Sequence, residues 1–248
     1  SEVYSTQDVS DVTVVTTLYD EDGEVFASGA SDETSLVANQ VSDVDYTFTV
    51  ENAELWDCDD PNLYKAVVEL YHDGEVIDSY ATDYGFKWFE VTATEGAKLN
   101  GEFIMLNGVN IHHENGMIGT VSEPDALERK VKIMKEMGVN AIRTSHNPES
   151  VEFLNACNRQ GVMVLEEAAD FVTGGKGGAN WGQWFSDEVP EDWAGIRDGG
   201  LPSVTLATDG QLKEAPYCWG DENIQEMVRR HRNNPCIIMW STANELRN

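Results

Sequence analysis

Near residue 100 the hydrophobic pattern of this chain changes its period, and that change constrains the fold more than any other feature. Before it, apolar residues alternate. Val12, Val14, Thr16 and Leu18 form one run, Tyr46, Phe48 and Val50 another, and Ala66, Val68 and Leu70 lead on to Val76, Ile77 and Tyr80. A period of two marks strands with one buried and one wet face. Asp22-Gly23 and Asp73-Gly74 fall between such runs, and Asp-Gly supplies the positive φ angles that tight hairpins need. Several short strands in under a hundred residues, without helical periodicity, predict a β-sandwich of immunoglobulin-like type.

After residue 100 strands and helices alternate. Ile104 to Ile111 reads as a hairpin leading into a strand, with Asn107-Gly108 as the turn. Ser122 opens a helix, with Pro124 near its start and Asp125 completing a capping box. Leu127, Val131, Met134 and Met137 form its apolar stripe and Gly138 ends it. Val139 to Arg143 is the next strand, and Pro148 opens a second helix with Val151, Leu154 and Cys157 on one face, stopped by Gly161. Val162 to Leu165 is a strand apolar on both faces. A helix from Glu222 to His231 precedes the strand Cys236 to Trp240.

This βαβαβαβ order requires a parallel sheet with right-handed crossovers. Four strand-and-helix steps are half of a (β/α)8 TIM barrel. The fold class is therefore multidomain, β plus α/β: a sandwich over residues 1–92 and an incomplete barrel over residues 93–248. An insertion rich in Gly and Trp, from Phe171 to Gly220, separates the third and fourth strands. Loops at that end of a barrel shape access to its centre.

Composition narrows the partners. The chain has 45 Asp and Glu against 16 Lys and Arg, a net charge of −29 over 248 residues. A field of that sign repels nucleic acid and anionic membranes. No stretch reaches the ~18 apolar residues a membrane helix needs. The four cysteines, Cys58, Cys157, Cys218 and Cys236, show no paired spacing, so a disulfide framework is not expected; Cys157 and Cys236 read as buried thiols. No leader pattern opens the sequence, and location stays open, with the cytoplasm preferred.

The polar residues that stand out fall at the predicted C-terminal ends of the four strands. They are His112, His113 and Glu114; Arg143, Ser145, His146 and Asn147; Glu166, Glu167 and Asp170; and Asn244 with Glu245. In a barrel these ends converge on one rim, where barrel enzymes hold their active sites. His231, after Arg229-Arg230, reads as a charge favourable to a helix C-terminus, and His72 as a solvated turn residue.

Three stretches carry a resemblance: Gly108-Val109-Asn110-Ile111-His112-His113, Arg143-Thr144-Ser145-His146-Asn147-Pro148 and Trp240-Ser241-Thr242-Ala243-Asn244-Glu245. They resemble the signatures of glycoside hydrolase family 2, which includes β-galactosidases, β-glucuronidases and β-mannosidases. Pro61-Asn62-Leu63-Tyr64 and Asp83-Tyr84-Gly85-Phe86-Lys87 fit its sandwich, with Lys87 where Arg is common. The resemblance implies a retaining glycosidase in which Glu245 is the general acid/base and Asn244 binds the sugar 2-hydroxyl. It puts His112 and His146 at the sugar subsite, Arg143 beside the catalytic carboxylates and Glu167 in the floor; Trp240 is a candidate stacking platform.

A retaining mechanism also needs a nucleophilic carboxylate about 5–5.5 Å from the acid. In the family that Glu lies late in the barrel, past Asn248, so the chain reads as a piece of a larger enzyme, inactive alone. The edges of a half barrel invite homo-oligomers. No cofactor is implied. Metal ligands expected after the third strand are not evident among Ala168, Ala169, Phe171 and Val172, so no metal is expected. The substrate expected is a carbohydrate. Ala243 is more typical of glucuronidases; the Gly-Val-Asn-Ile-His-His stretch and the scarcity of basic residues lean toward a β-galactoside. A non-catalytic carbohydrate-binding protein is the alternative from another class.

Overall fold

A computed structural model describes residues 1–170, 204–208, 211–215 and 219–244. The chain forms two compact units. One is built on Ser1–Glu51, Lys65–Thr82 and the described residues between 204 and 222, the other on Asn52–Tyr64, residues 83–170 and residues 223–244.

The first unit is the sandwich. Its strands are β1 (Glu2–Ser5), β2 (Val9–Tyr19), β3 (Val25–Ala30), β4 (Thr34–Leu36), β5 (Gln40–Asp43), β6 (Tyr64–His72) and β7 (Glu75–Tyr84). The larger sheet runs β3-β2-β6-β7 with β4 also on β2, and β1 pairs with β5. Alternation along β2 puts Val12, Val14 and Leu18 inside, 0–4% exposed. Val12 and Val14 pack with Leu36, Val44 and Leu70, and Val3 of β1 closes the layer. At the β6–β7 hairpin Asp73 and Gly74 both have positive φ, 51° and 78°, as a type I′ turn requires.

Two expectations fail here. Tyr46 to Val50 is not a ladder strand; its side chains are used instead. The Tyr46 hydroxyl bonds Thr16 Oγ1, and the Phe48 ring lies where a Cβ on Gly29 would have to be. His72 ends β6 rather than lying in the turn, and it is only partly solvated: the side chain is 32% exposed while its Nδ1 is buried without a partner among the described residues.

The second unit opens with a small antiparallel sheet, β8 (Phe89–Thr92), β9 (Gly96–Leu99) and β10 (Glu102–Phe103). Its hairpin turn is Asn100-Gly101, with φ of 53° and 87°. The turn expected at Asn107-Gly108 is not there, because Gly108 already begins the next strand. That strand, β11 (Gly108–Ile111), starts the parallel series: α1 (Pro124–Glu136), β12 (Ala141–Thr144), α2 (Val151–Gln160), β13 (Met163–Glu167). Next along the chain is the antiparallel pair β14 (Val204–Thr208) and β15 (Gln211–Ala215), which groups with the first unit; α3 (Trp219–His231) and β16 (Ile237–Ser241) then continue the parallel series. The parallel sheet runs β11-β12-β13-β16, the order of a barrel's first four strands. The Gly and Trp residues expected to shape the insertion between residues 174 and 193 lie outside the described residues, as does Cys218.

Helix ends follow local chemistry. Glu123, not Ser122, is the N-cap of α1, and no side chain caps it. Pro124 takes the first helical position because it has no N–H to satisfy and its φ is already helical, so the capping box does not form. At the other end Gly138 N–H bonds Lys135 O and Val139 N–H bonds Met134 O, the paired bonds of a Schellman ending. In α2 the cap is Ser150, whose Oγ accepts from Phe153 N–H at 3.2 Å, two residues past the expected start at Pro148. Gly161 closes α2 in the left-handed conformation, φ 65°.

One core joins the helices to the sheet: Leu127 and Val131 of α1, Phe153, Leu154 and Cys157 of α2, Ile142, Met163, Val164 and Ile237 of the strands. Trp56, fully buried, belongs to the same core and donates from its indole N–H to Asn158 O at 2.8 Å. Asn158 also fixes the start of β16: its Oδ1 accepts from Cys236 N–H and its Nδ2 donates to Asn234 Oδ1.

Candidate active site

The strands end one or two residues later than their apolar runs, so Glu166 and Glu167 lie within β13 rather than after it. Successive side chains of a strand face opposite sides, and the two glutamates separate. Glu167 is 1% exposed and faces Arg143 of β12 and Ser241 of β16. Glu166, 0% exposed, faces α3 and bonds His231 Nδ1 at 2.7 Å.

Four donors converge on Glu167. Arg143 Nε and Nη2 reach Oε2 at 3.1 and 2.7 Å, Ser241 Oγ donates to Oε2 at 2.9 Å, and His146 Nδ1 lies 2.6 Å from Oε1. A carboxylate only accepts, so in this contact His146 Nδ1 is the donor, and Nε2 faces Asp170 at 3.9 Å. The backbone N–H of Glu167 is fixed too, by Thr144 Oγ1 at 2.9 Å.

Arg143 Nη2 also donates to Asn244 Oδ1 at 2.9 Å, which sets the carboxamide's orientation. Asn244 Nδ2 then donates to Asp170 Oδ1 at 3.1 Å, and Asn244 N–H to Ala169 O at 2.9 Å. His112 stands edge-on to His146, ring centroids 5.2 Å apart. The Ser145–His146 peptide is cis.

Of the residues singled out in the sequence, the structure thus gathers Arg143, His146, Glu167, Asn244 and His112 at one end of the sheet. Trp240 does not join them. It pairs in register with Glu166, next to Ser241, and alternation turns it away from Glu167; it is 39% exposed. Glu245, the residue after Asn244, lies outside the described residues. Among the described residues no three His, Cys, Asp or Glu side chains are arranged to hold a metal ion.

The sequence reading passed over Ser241 and gave Asp170 no role. The signal for Ser241 was its place one residue beyond Trp240 in a parallel strand, but which face it took depended on register. His231, expected only as a favourable charge at a helix C-terminus, does end α3 but is fully buried, because α3 lies against β13 and Glu166 takes its ring. Glu149, 6% exposed, adjoins this second group: its N–H donates to Glu166 Oε1 at 3.3 Å and its carboxylate lies 3.8 Å from His113. Burial pushes its carboxyl above the ordinary range, with His113 and Lys130 opposing.

Comparison with known proteins gives the family of the chain. The family model described as "Glycosyl hydrolases family 2, TIM barrel domain" matches residues 89–247, and that described as "Glycosyl hydrolases family 2" matches residues 2–87. Beta-galactosidase BoGH2A of Bacteroides ovatus is 32% identical over 237 residues, 95% of this chain and 24% of that protein. Beta-glucuronidase of Bacteroides fragilis is 29% identical over 199 residues, 80% of this chain and 24% of that protein. The chain therefore spans about a quarter of the length of these curated relatives. Among solved structures, a glycosyl hydrolase family 2 member from Bacteroides cellulosilyticus superimposes with a TM-score of 0.76 at 30% identity, covering 99% of this chain and 30% of that one. With a sandwich ahead of a partial barrel, and family models matched along nearly its whole length, the chain belongs to glycosyl hydrolase family 2.

Proposed function

We propose that this chain carries the acid/base half of a retaining glycosidase acting on terminal β-galactosides, with Glu245 as the proton donor. A glycosidic oxygen leaves poorly unless it is protonated as the bond breaks, so a carboxylic acid must stand beside it. The observation that carries the reading is the bond from Arg143 to both Glu167 and Asn244. It ties the end of β16 to the buried floor, and Glu245 follows directly. In this reading the Asn244 carboxamide, its oxygen taken by Arg143, keeps one N–H for the sugar 2-hydroxyl. His112 and His146 offer ring nitrogens to neighbouring hydroxyls. The nucleophile is a second carboxylate, expected outside these 248 residues.

A galactoside is preferred over a glucuronide on charge. Among the described residues of the group Arg143 is the one cation, and Glu167 already neutralises it. The relatives named above include both a β-galactosidase and a β-glucuronidase, so the choice rests on the site. The test is calorimetric titration of the chain with galactonolactone, alongside Glu167→Gln and His146→Ala. Saturable binding that both variants weaken about tenfold or more is expected. Undiminished binding in both, or none by the unaltered chain, would overturn the reading.

A further inference from the structure

The groups at the end of the sheet divide into those already satisfied and those left open. Glu167 and Ser241 are engaged with each other, and Arg143 spends its bonds on Glu167 and Asn244. The open atoms lie on the outer side of that floor. Asp170 Oδ1 accepts from Asn244 Nδ2, but Oδ2 has no partner among the described residues, and the side chain is 37% exposed. His146 Nε2 stands 3.9 Å from Asp170 Oδ1. That is too long for a direct hydrogen bond, and it leaves room for one oxygen at about 2.8 Å from each.

From this we infer that Asp170 is a specificity-determining residue of the sugar site: its carboxylate, with His146, receives a hydroxyl of a neutral hexose and rejects a hexuronate. The inference rests on the glycosidase reading and sharpens it to a substrate class. A hydroxyl donates its proton to Asp170, whose Oδ2 is the open acceptor, while His146 Nε2 borders the same space. A sugar carboxylate in the same place has no proton to give. It would stand against a second carboxylate with no free cation nearby among the described residues, and like charges at that distance oppose binding strongly.

The test is titration of the 248-residue chain with two lactones, neutral galactonolactone and anionic saccharolactone, at fixed ionic strength. The unaltered chain should bind the neutral lactone at least about tenfold more tightly. Asp170→Asn should weaken the neutral lactone by about tenfold and shrink the neutral-to-anionic ratio by more than that, since a charge-assisted bond is lost and a repulsion removed. The overall field cannot mimic this, because the substitution changes a net charge of −29 by only one. Asp170→Ser, checked for an unchanged melting temperature, should move the ratio the same way. A ratio within twofold of the unaltered chain in both variants overturns the assignment of Asp170 while leaving the glycosidase reading intact. Failure of the unaltered chain to bind either lactone overturns both.

Discussion

Glu166 and Glu167 are adjacent on β13, both essentially unexposed, yet they belong to separate networks on opposite faces of the sheet. Glu167 gathers Arg143, His146 and Ser241 at the candidate site. Glu166 holds His231 at the end of α3, with the N–H of Glu149 as its other donor. The outer pair fixes the helix that feeds β16, and so bears indirectly on where Asn244 stands.

The Glu166–His231 bond should therefore be a stability determinant. His231→Ala leaves a buried carboxylate with one backbone donor and opens a cavity, and should cost about 3–5 kcal/mol. In urea denaturation the double variant Glu166→Gln/His231→Ala should cost clearly less than the sum of the singles, because the two side chains act as one unit. Additive losses would show that the bond contributes nothing beyond packing.

Glu149 should give stability a definite pH slope. Its folded carboxyl is raised above the unfolded value of 4.5, chiefly by burial, with Glu166 adding to the rise and His113 and Lys130 opposing it. The folded state then holds the proton more tightly than the unfolded state. The stabilisation from Glu149 is complete below pH 4.5 and is lost as pH rises through the folded value. Glu149→Gln should flatten the denaturation midpoint over that interval and leave the chain relatively more stable at neutral pH. A variant that keeps the full slope would assign it to other carboxylates.

Two glycines that end helices should respond differently to Ala. Gly161 has φ of 65°, and a Cβ there would run into the Cys58 carbonyl, whereas Gly138, at φ 89°, has open space around it. Gly138→Ala should cost only the backbone strain, about 1 kcal/mol. Gly161→Ala adds a collision with backbone that cannot turn aside, and should cost about 2–3 kcal/mol or more. Equal losses in urea denaturation would mean that the Cys58 segment yields.

Much of this architecture was legible because it depends on local periodicity. The alternation of Val12, Val14 and Leu18 and the helical stripe of Leu127, Val131 and Met134 each follow from which residues must leave water. Punctuation was less secure. Two Asn-Gly pairs, at 100–101 and 107–108, carry the same signal, and pairing of β9 with β10 decided that the first makes the turn. Pro124 and Ser150 likewise moved helix starts away from their expected caps.

By itself the sequence determined that four parallel strands would each end in polar residues, because apolar runs bounded by polar ones can be buried in only one way. It determined the family as well, through residues clustered at those ends. Only the tertiary structure decided which face each side chain took. Glu166, Glu167, Trp240 and Ser241 differ by single steps along their strands, and a strand turns its side chains over at every step, so register alone sends Glu167 and Ser241 to the site and Glu166 to His231. The burial of His231 and the entry of Trp56 into the barrel core were decided there too. Each depends on a partner distant in sequence, Glu166 for one and Asn158 for the other, and no local pattern encodes such a contact.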